Sequence, residues 1–250
     1  MATNNIPLYK RIIFKTMPPD AIKLGKTLLK SQMARIQDSV YKRFFYNAFR
    51  YLAFNEIDGD YAEFGSCSTI TFAHAYHQSR KNGLNTRLWS FDSFQGFPAP
   101  RSEADKHPRW PEGTMNMSLE QFYINCRIEG IPKSAYEVVP GFYEETLDKS
   151  SSTDKPANIG LAYIDCDMHT STTSVIHFLM PRLKHGMIIA FDDYFCPSRN
   201  NIAGERRAII ENFGNNPRWN LLPYIQYGWH GMSFIVEDKK YLPHNFTSTF

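Results

Sequence analysis

No run of apolar residues in this chain is long enough to cross a bilayer, and no charged-then-apolar leader opens it, so the reading predicts a cytoplasmic protein with no membrane span. Four cysteines, Cys67, Cys126, Cys166 and Cys196, stand apart without any C-x-x-C pair, which speaks against a zinc cluster and a disulfide framework and leaves reduced small residues. Asn116 and Asn245 each begin an N-x-S/T triplet, which carries no weight without a secretory leader. Glycine is also short where a dinucleotide would need it: the turn Glu63-Phe64-Gly65-Ser66-Cys67-Ser68-Thr69 has one glycine in place of G-x-G-x-x-G, so the ligand expected there is one without a pyrophosphate.

The 250 residues suffice for one α/β core. The net charge of +3 hides an uneven distribution, because residues 1 to 50 hold ten Lys or Arg against Asp20 and Asp38 and leave the remainder acidic. A basic arm can meet an anionic substrate, nucleic acid or a membrane surface. The plainer reading is preferred, with no nucleic acid expected, because Ile12, Ile13, Phe14, Leu24, Leu28 and Leu29 interleave the charges as in helices packed over a core. The chain is therefore divided into an N-terminal helical arm, residues 1–55, packed on a main domain of residues 56–250.

Apolar residues at Ile36, Val40, Phe44, Phe45, Ala48 and Leu52 give one buried stripe on a helix over Ser31–Phe54. Strands are predicted at Asp60–Gly65, Arg87–Asp92, Tyr136–Pro140, Ile159–Ile164 and Met187–Phe191, with two closing strands at Trp219–Tyr227 and Met232–Val236. Between them fall helices at Ile70–Arg80, from Ser118 to Gly130, at Ser171–Leu183 and at Ala203–Phe213; Ser118 with Gln121 three residues on reads as a capping box. Alternating strands and helices predict a Rossmann-like, doubly wound, mostly parallel seven-stranded sheet with an N-terminal helical extension. The aperiodic stretch Ser93–Met117, with His107, Arg109 and Trp110, is a candidate substrate loop.

Asp165 directly follows one apolar strand, and Asp192 and Asp193 follow the next. Parallel strands joined by a crossover put these tips on one edge, where ligands bind in open α/β sheets. A hard divalent cation, Mg2+ above all, is the natural remedy for their mutual repulsion, giving the metal set Asp165, Asp192 and Asp193; the competing reading is that they only cap helices. Asp167 is read as a loop anchor. His169 is a candidate base, and His230 has a weaker claim. Asp92, ending the second strand, stands where a carboxylate can accept ribose hydroxyls.

These residues form a recognisable pattern. The segments Gly59-Asp60-Tyr61-Ala62-Glu63-Phe64-Gly65, Phe91-Asp92-Ser93-Phe94-Gln95-Gly96-Phe97-Pro98, Gly141-Phe142 through Glu145-Thr146-Leu147, Ile164-Asp165-Cys166-Asp167 and Phe191-Asp192-Asp193-Tyr194 resemble the macrocin O-methyltransferase family over about residue 30 to 237. The resemblance implies a class I methyltransferase fold and metal-dependent transfer of methyl from S-adenosylmethionine to a hydroxyl of a small-molecule or glycan acceptor, a sugar hydroxyl preferred. Carried over by position, Asp165, Asp192 and Asp193 would ligate the metal, with Asp165 also the base. Glu63 and Gly65, with Ser66 beside them, would lie by the methionine part, Asp92 and Ser93 by the ribose, and Gly141 and Phe142 by the adenine. One departure is Ser68 and Thr69, where the family usually has glycine, which implies a looser cofactor turn. Two rival readings are a GT-A-like glycosyltransferase using Asp165-Cys166-Asp167 as a D-x-D motif and a non-catalytic cofactor-binding protein. The state of association stays open, a homo-oligomer included.

Overall fold

The computed structural model describes residues 19–147 and 155–243, with the side chains described from Ser31 onward. By compactness the chain divides into Met1–Val40 and Tyr41–Phe250. Of the first unit, residues 19–40 are described, all helical, with Met33 and Ile36 exposed. The apolar side chains of the arm before Ser31 lie outside the described residues. The expected stripe is therefore corrected at Ile36, and its buried part is Phe44, Phe45, Ala48 and Leu52, all in the second unit. There Phe45 packs on Tyr61 and Tyr163, which gives this face of the helix its apolar partner.

The elements run α1 (Pro19–Phe54), β1 (Asp60–Phe64), α2 (Ile70–Lys81), β2 (Leu88–Asp92), α3 (Leu119–Ile128), β3 (Tyr136–Pro140), α4 (Tyr143–Thr146), β4 (Ile159–Ile164), α5 (His169–Leu179), β5 (Ile188–Phe191), α6 (Gly204–Phe213), β6 (Trp219–Tyr227) and β7 (Gly231–Asp238). The strands form one sheet of seven in the order β3-β2-β1-β4-β5-β7-β6. β7 is antiparallel to β5 and to β6, and the other pairings are parallel. Every residue of β4 and β5 is buried, as expected of central parallel strands covered on both faces. β6 is an edge strand, which tolerates Pro223 because its missing N–H costs least there, and its pairing shifts register just after that proline.

Local chemistry sets the boundaries. The Ser118 hydroxyl accepts from the Gln121 N–H at 3.1 Å and opens α3 as expected, while the Gln121 amide turns to Asn125 instead of closing the box. The loop Ser93–Met117 is held at its base by Phe97 and Thr114, whose backbone groups pair at 3.1 Å. Its middle is pinned by the buried Asp105, which accepts from Thr170 N–H at 2.8 Å on one oxygen and from the N–H groups of Arg101 and Ser102, both at 3.0 Å, on the other.

Strand order reverses between β1 and β4, which opens a crevice beyond their C-terminal ends. At that point Gly65 has φ +92°, and a Cβ there would sit 1.9 Å from the Asp165 carbonyl oxygen, so only glycine lets the two strand ends approach. The turn then passes through Ser68 at φ 76° and Thr69 at φ 65°, two successive left-handed residues. That conformation costs a non-glycine residue about 1 to 2 kcal/mol.

Two outcomes follow from this packing. Ser68 is exposed and its hydroxyl has no partner among the described residues, so Ser68→Gly should relieve strain without losing a contact among them. It should raise stability by up to about 1 kcal/mol, read as a rise in Tm of about 2 to 4 °C. Glu63 is fully buried, accepts from the Tyr61 and Thr71 hydroxyls, and is pushed up by desolvation from 4.5 to about 8. Its contribution is fully present below pH 4.5 and is lost as pH rises through about 8. Denaturant titrations should show Glu63→Gln gaining on the parent by about 1.4 kcal/mol for each pH unit across that window. A pH-independent difference would contradict the buried neutral acid.

Candidate active site

The tips of β1, β4 and β5 continue their ladders one residue past the strands: Asp165 N–H donates to Phe64 at 2.8 Å and Asp192 N–H to Ile164 at 2.9 Å. A cleft of about 310 Å³ opens above them, lined by Gly65, Asp92, Gly141, Phe142, Asp165, Asp167, Asp192 and Asp193, with Tyr41, Phe97, Pro98 and Met115 over it. Parallel pairing thus delivers residues 100 positions apart to one opening.

Among the described residues, Asp165, Asp167 and Asp193 each offer a carboxylate oxygen within 4.8 Å of the other two. Oxygen ligands at 2.1 to 2.6 Å on opposite sides of one cation stand about 4.2 to 5.2 Å apart, so this all-oxygen set fits a hard divalent ion. Of the expected trio, Asp165 and Asp193 fall in this group and Asp192 does not. Asp167, read as an anchor, joins this group. Asp192 also lines the cleft, but its carboxylate is engaged behind the group: it accepts from the Tyr163 hydroxyl on one oxygen and from the Tyr41 hydroxyl at 3.4 Å on the other. His230 Nδ1 lies 2.7 Å from the Asp192 carbonyl oxygen and 3.5 Å from its carboxylate, so this histidine supports Asp192.

Burial pushes the Asp165 and Asp167 carboxyls well above the usual range, and the neighbouring acids push them further. The Trp110 indole donates to Asp167 and opposes the rise there. Trp110 is buried against Gly204, where a Cβ would meet its ring at 2.7 Å, so the candidate substrate loop touches the cluster through an aromatic ring and one N–H. Asp167 itself has φ 57°, and Met168 N–H reaches the Cys166 carbonyl across it at 2.5 Å, which makes a tight turn of an Asp that tolerates left-handed backbone.

The remaining expected residues divide. Asp92 lines the cleft with one oxygen accepting from Ser66 N–H and the other from Phe94 N–H, both at 2.7 Å, and a carboxylate so held keeps lone pairs for further donors. Ser93 and Gly141 also line it; Gly141 donates to the Asp92 carbonyl at 2.9 Å and has φ +132°. Glu63 and Ser66 do not line it. Glu63 points into the layer with Tyr61 and Thr71, and the Ser66 hydroxyl is buried on Ser90 at 2.8 Å. His169, the candidate base, pairs through its Nε2 with Glu211 at 2.7 Å on the face between α5 and α6, and its ring does not line the cleft.

Sequence reasoning missed Glu205, in the first turn of α6. It is fully buried, and its two oxygens accept from Cys166 N–H at 3.2 Å and Asp193 N–H at 2.8 Å. In sequence it precedes Arg206 and Arg207 and reads as part of a solvated charged face, so no local signal marks it.

Comparison with known proteins agrees with this geometry. The family described as Macrocin-O-methyltransferase (TylF) matches residues 40–213. The chain is similar to the 8-demethyl-8-(2,3-dimethoxy-alpha-L-rhamnosyl)-tetracenomycin-C 4'-O-methyltransferase of Streptomyces olivaceus, 31% identical over 113 residues, which cover 43% of this chain and 42% of that relative. The chain thus spans less than half the length of that relative. Among solved structures it is similar to the O-methyltransferase NovP, with a TM-score of 0.62 at 18% identity over 78% of this chain and 79% of that one. It is also similar to CalS11, a calicheamicin methyltransferase, with a TM-score of 0.60 at 19% identity over 90% and 89%. At these identities the structures establish the fold, which is the Rossmann-like fold of class I methyltransferases. With the family matching from the end of α1 through α6, more than half its length, the chain belongs to the macrocin O-methyltransferase family.

Proposed function

We propose that this chain transfers a methyl group from S-adenosylmethionine to a hydroxyl of a small-molecule or glycan acceptor, a sugar hydroxyl preferred, with the help of a divalent cation. The observation that carries the reading is the convergence of Asp165, Asp167 and Asp193 at a cleft that Gly65 and Asp92 also border. The preference for a sugar rests on the Streptomyces olivaceus relative, whose name gives a dimethoxyrhamnosyl compound as its acceptor. The D-x-D reading of Asp165-Cys166-Asp167 loses its ground, because that segment falls inside the methyltransferase match.

In this reading Gly65 admits the methionine end of the donor against the β1 tip, Asp92 accepts ribose hydroxyls, and Gly141 with Phe142 borders the adenine. When bound, S-adenosylmethionine supplies an electrophilic methyl carbon and the cation supplies Lewis acidity that makes a hydroxyl proton easier to remove. Asp165 would take that proton as the acceptor oxygen receives the methyl group, the donor leaving as S-adenosylhomocysteine. Phe97, Pro98 and Met115 exclude water over the cleft, and holding both reactants in line can be worth about 7 to 11 kcal/mol.

Calorimetry should show binding of S-adenosylmethionine and none of sugar nucleotides. A labelled-methyl assay on rhamnosylated acceptors should show turnover that chelator abolishes. Asp193→Asn should cut turnover by about 100-fold or more while leaving donor affinity within about 2-fold. Undiminished turnover of this variant in chelator would refute the metal role. Trp110→Phe keeps the ring on Gly204 and removes only the N–H to Asp167, so turnover should fall by about 10-fold with little change in Tm.

A further inference from the structure

Glu205 is the buried acid that the mechanism leaves without a task. Its acidic neighbours are Asp193, Asp167 and Asp192, and further along the same helix Ala208 and Ile209 are fully buried. Among the described residues no lysine or arginine pairs with it. Its contacts are two backbone N–H groups, and these belong to different loops: Cys166 sits between Asp165 and Asp167 after β4, and Asp193 lies after β5. Both oxygens accept, which is the bonding pattern of a carboxylate bridging two donors. Gly204 just before it has φ +59°, and a Cβ there would lie 2.4 Å from the Asp167 carbonyl oxygen, so the start of α6 is seated directly against the same loop.

We infer that Glu205 is a positioning residue that clamps the two acid-bearing loops together, fixing how closely the Asp165, Asp167 and Asp193 oxygens approach and thereby the affinity of the cluster for a divalent cation. The cation half of this rests on the proposed function; the clamp does not. Without the bridge each loop would be free to relieve the repulsion among the three acids by spreading outward. With it, relief must come from a bound positive charge or a shared proton. A partner that orients a ligand from behind typically governs 10-fold to 100-fold of metal affinity.

Glu205→Gln keeps the shape but turns an amide N–H2 toward one of the two N–H groups, so a single bridge is lost. Titrating the full chain with Mg2+ or Mn2+ by calorimetry should show affinity for the ion reduced by about 10-fold to 100-fold, with S-adenosylmethionine affinity unchanged. In the metal-free protein, amide exchange followed by NMR should be slow at Cys166 and Asp193 in the parent and faster at one or both in the variant. Parent-like ion affinity together with parent-like exchange at both amides would overturn the clamp. If the parent itself takes up no divalent ion, the metal reading fails and exchange alone decides the clamp. Should the variant not fold, the parent still decides it: fast exchange at Cys166 and Asp193 in the metal-free protein would overturn the inference, and strong protection of both would uphold it.

Discussion

Parallel pairing of β4 with β5, Ile164 opposite Phe191, brings the acids that follow each strand into reach of one another. Two unit negative charges about 4 Å apart at an effective dielectric near 20 repel by about 4 kcal/mol. The sheet supplies no freedom to avoid this, because Asp165 and Asp192 are bonded into the ladders by their own backbones. Among the described residues no lysine or arginine reaches these carboxyls: the groups that do include tyrosine hydroxyls, an indole N–H, a thiol and an imidazole. A site built in this way keeps its electrostatic demand open for something that binds.

Holding such a cluster together takes rigid neighbours, and close approach does much of the holding. Gly65 lets β1 lie against the Asp165 carbonyl, and Gly204 lets α6 lie against Asp167 and Trp110, with no room for a Cβ at either place. Asp105 ties the long loop to the start of α5, so that loop, though aperiodic, has a fixed base and a buried middle. Its apolar residues Phe97, Pro98 and Met115 line the cleft.

Much of this was legible in the residues alone. Strand positions followed from short apolar runs closed by Gly, Asp or Pro, and the acids at their ends marked the ligand edge, because topology fixes which ends share it. What sequence could not supply was the direction of individual side chains. Asp192 and Asp193 are equal in a string of letters, yet strand alternation turns one toward Tyr163 and Tyr41 and the other into the cluster. The same alternation sends Glu63 inward with Tyr61, and the start of α5 sends His169 to Glu211. Glu205 was invisible for another reason: its partners are backbone N–H groups 12 and 39 residues away, which leave no trace in composition or period. Ile36 satisfied the helical period and is exposed, since a period says which face is apolar and nothing about whether a partner lies beneath it.

The position of Asp192 one step back from the cluster also bears on how the site carries charge. Burial raises its carboxyl to about 6, but His230 and the two tyrosine hydroxyls hold that rise in check, whereas Asp165 is driven much higher by burial and by Asp192 and Asp193 themselves. Burial and the mutual repulsion of the acids therefore favour the neutral form of Asp165, as they do at Asp167 and Glu205, while His230 and the hydroxyls favour the anionic form of Asp192. The hydroxyls that stabilise Asp192 favour its anionic form behind Asp165, and a negative charge there strengthens the attraction of the cluster for a positive ion. In the proposed reaction it would also raise the basicity of Asp165 where a proton has to be taken up. Tyr41 supplies one of those hydroxyls from α1, so the helix that precedes the sheet bears on the chemistry through a single hydrogen bond to a residue outside the cluster.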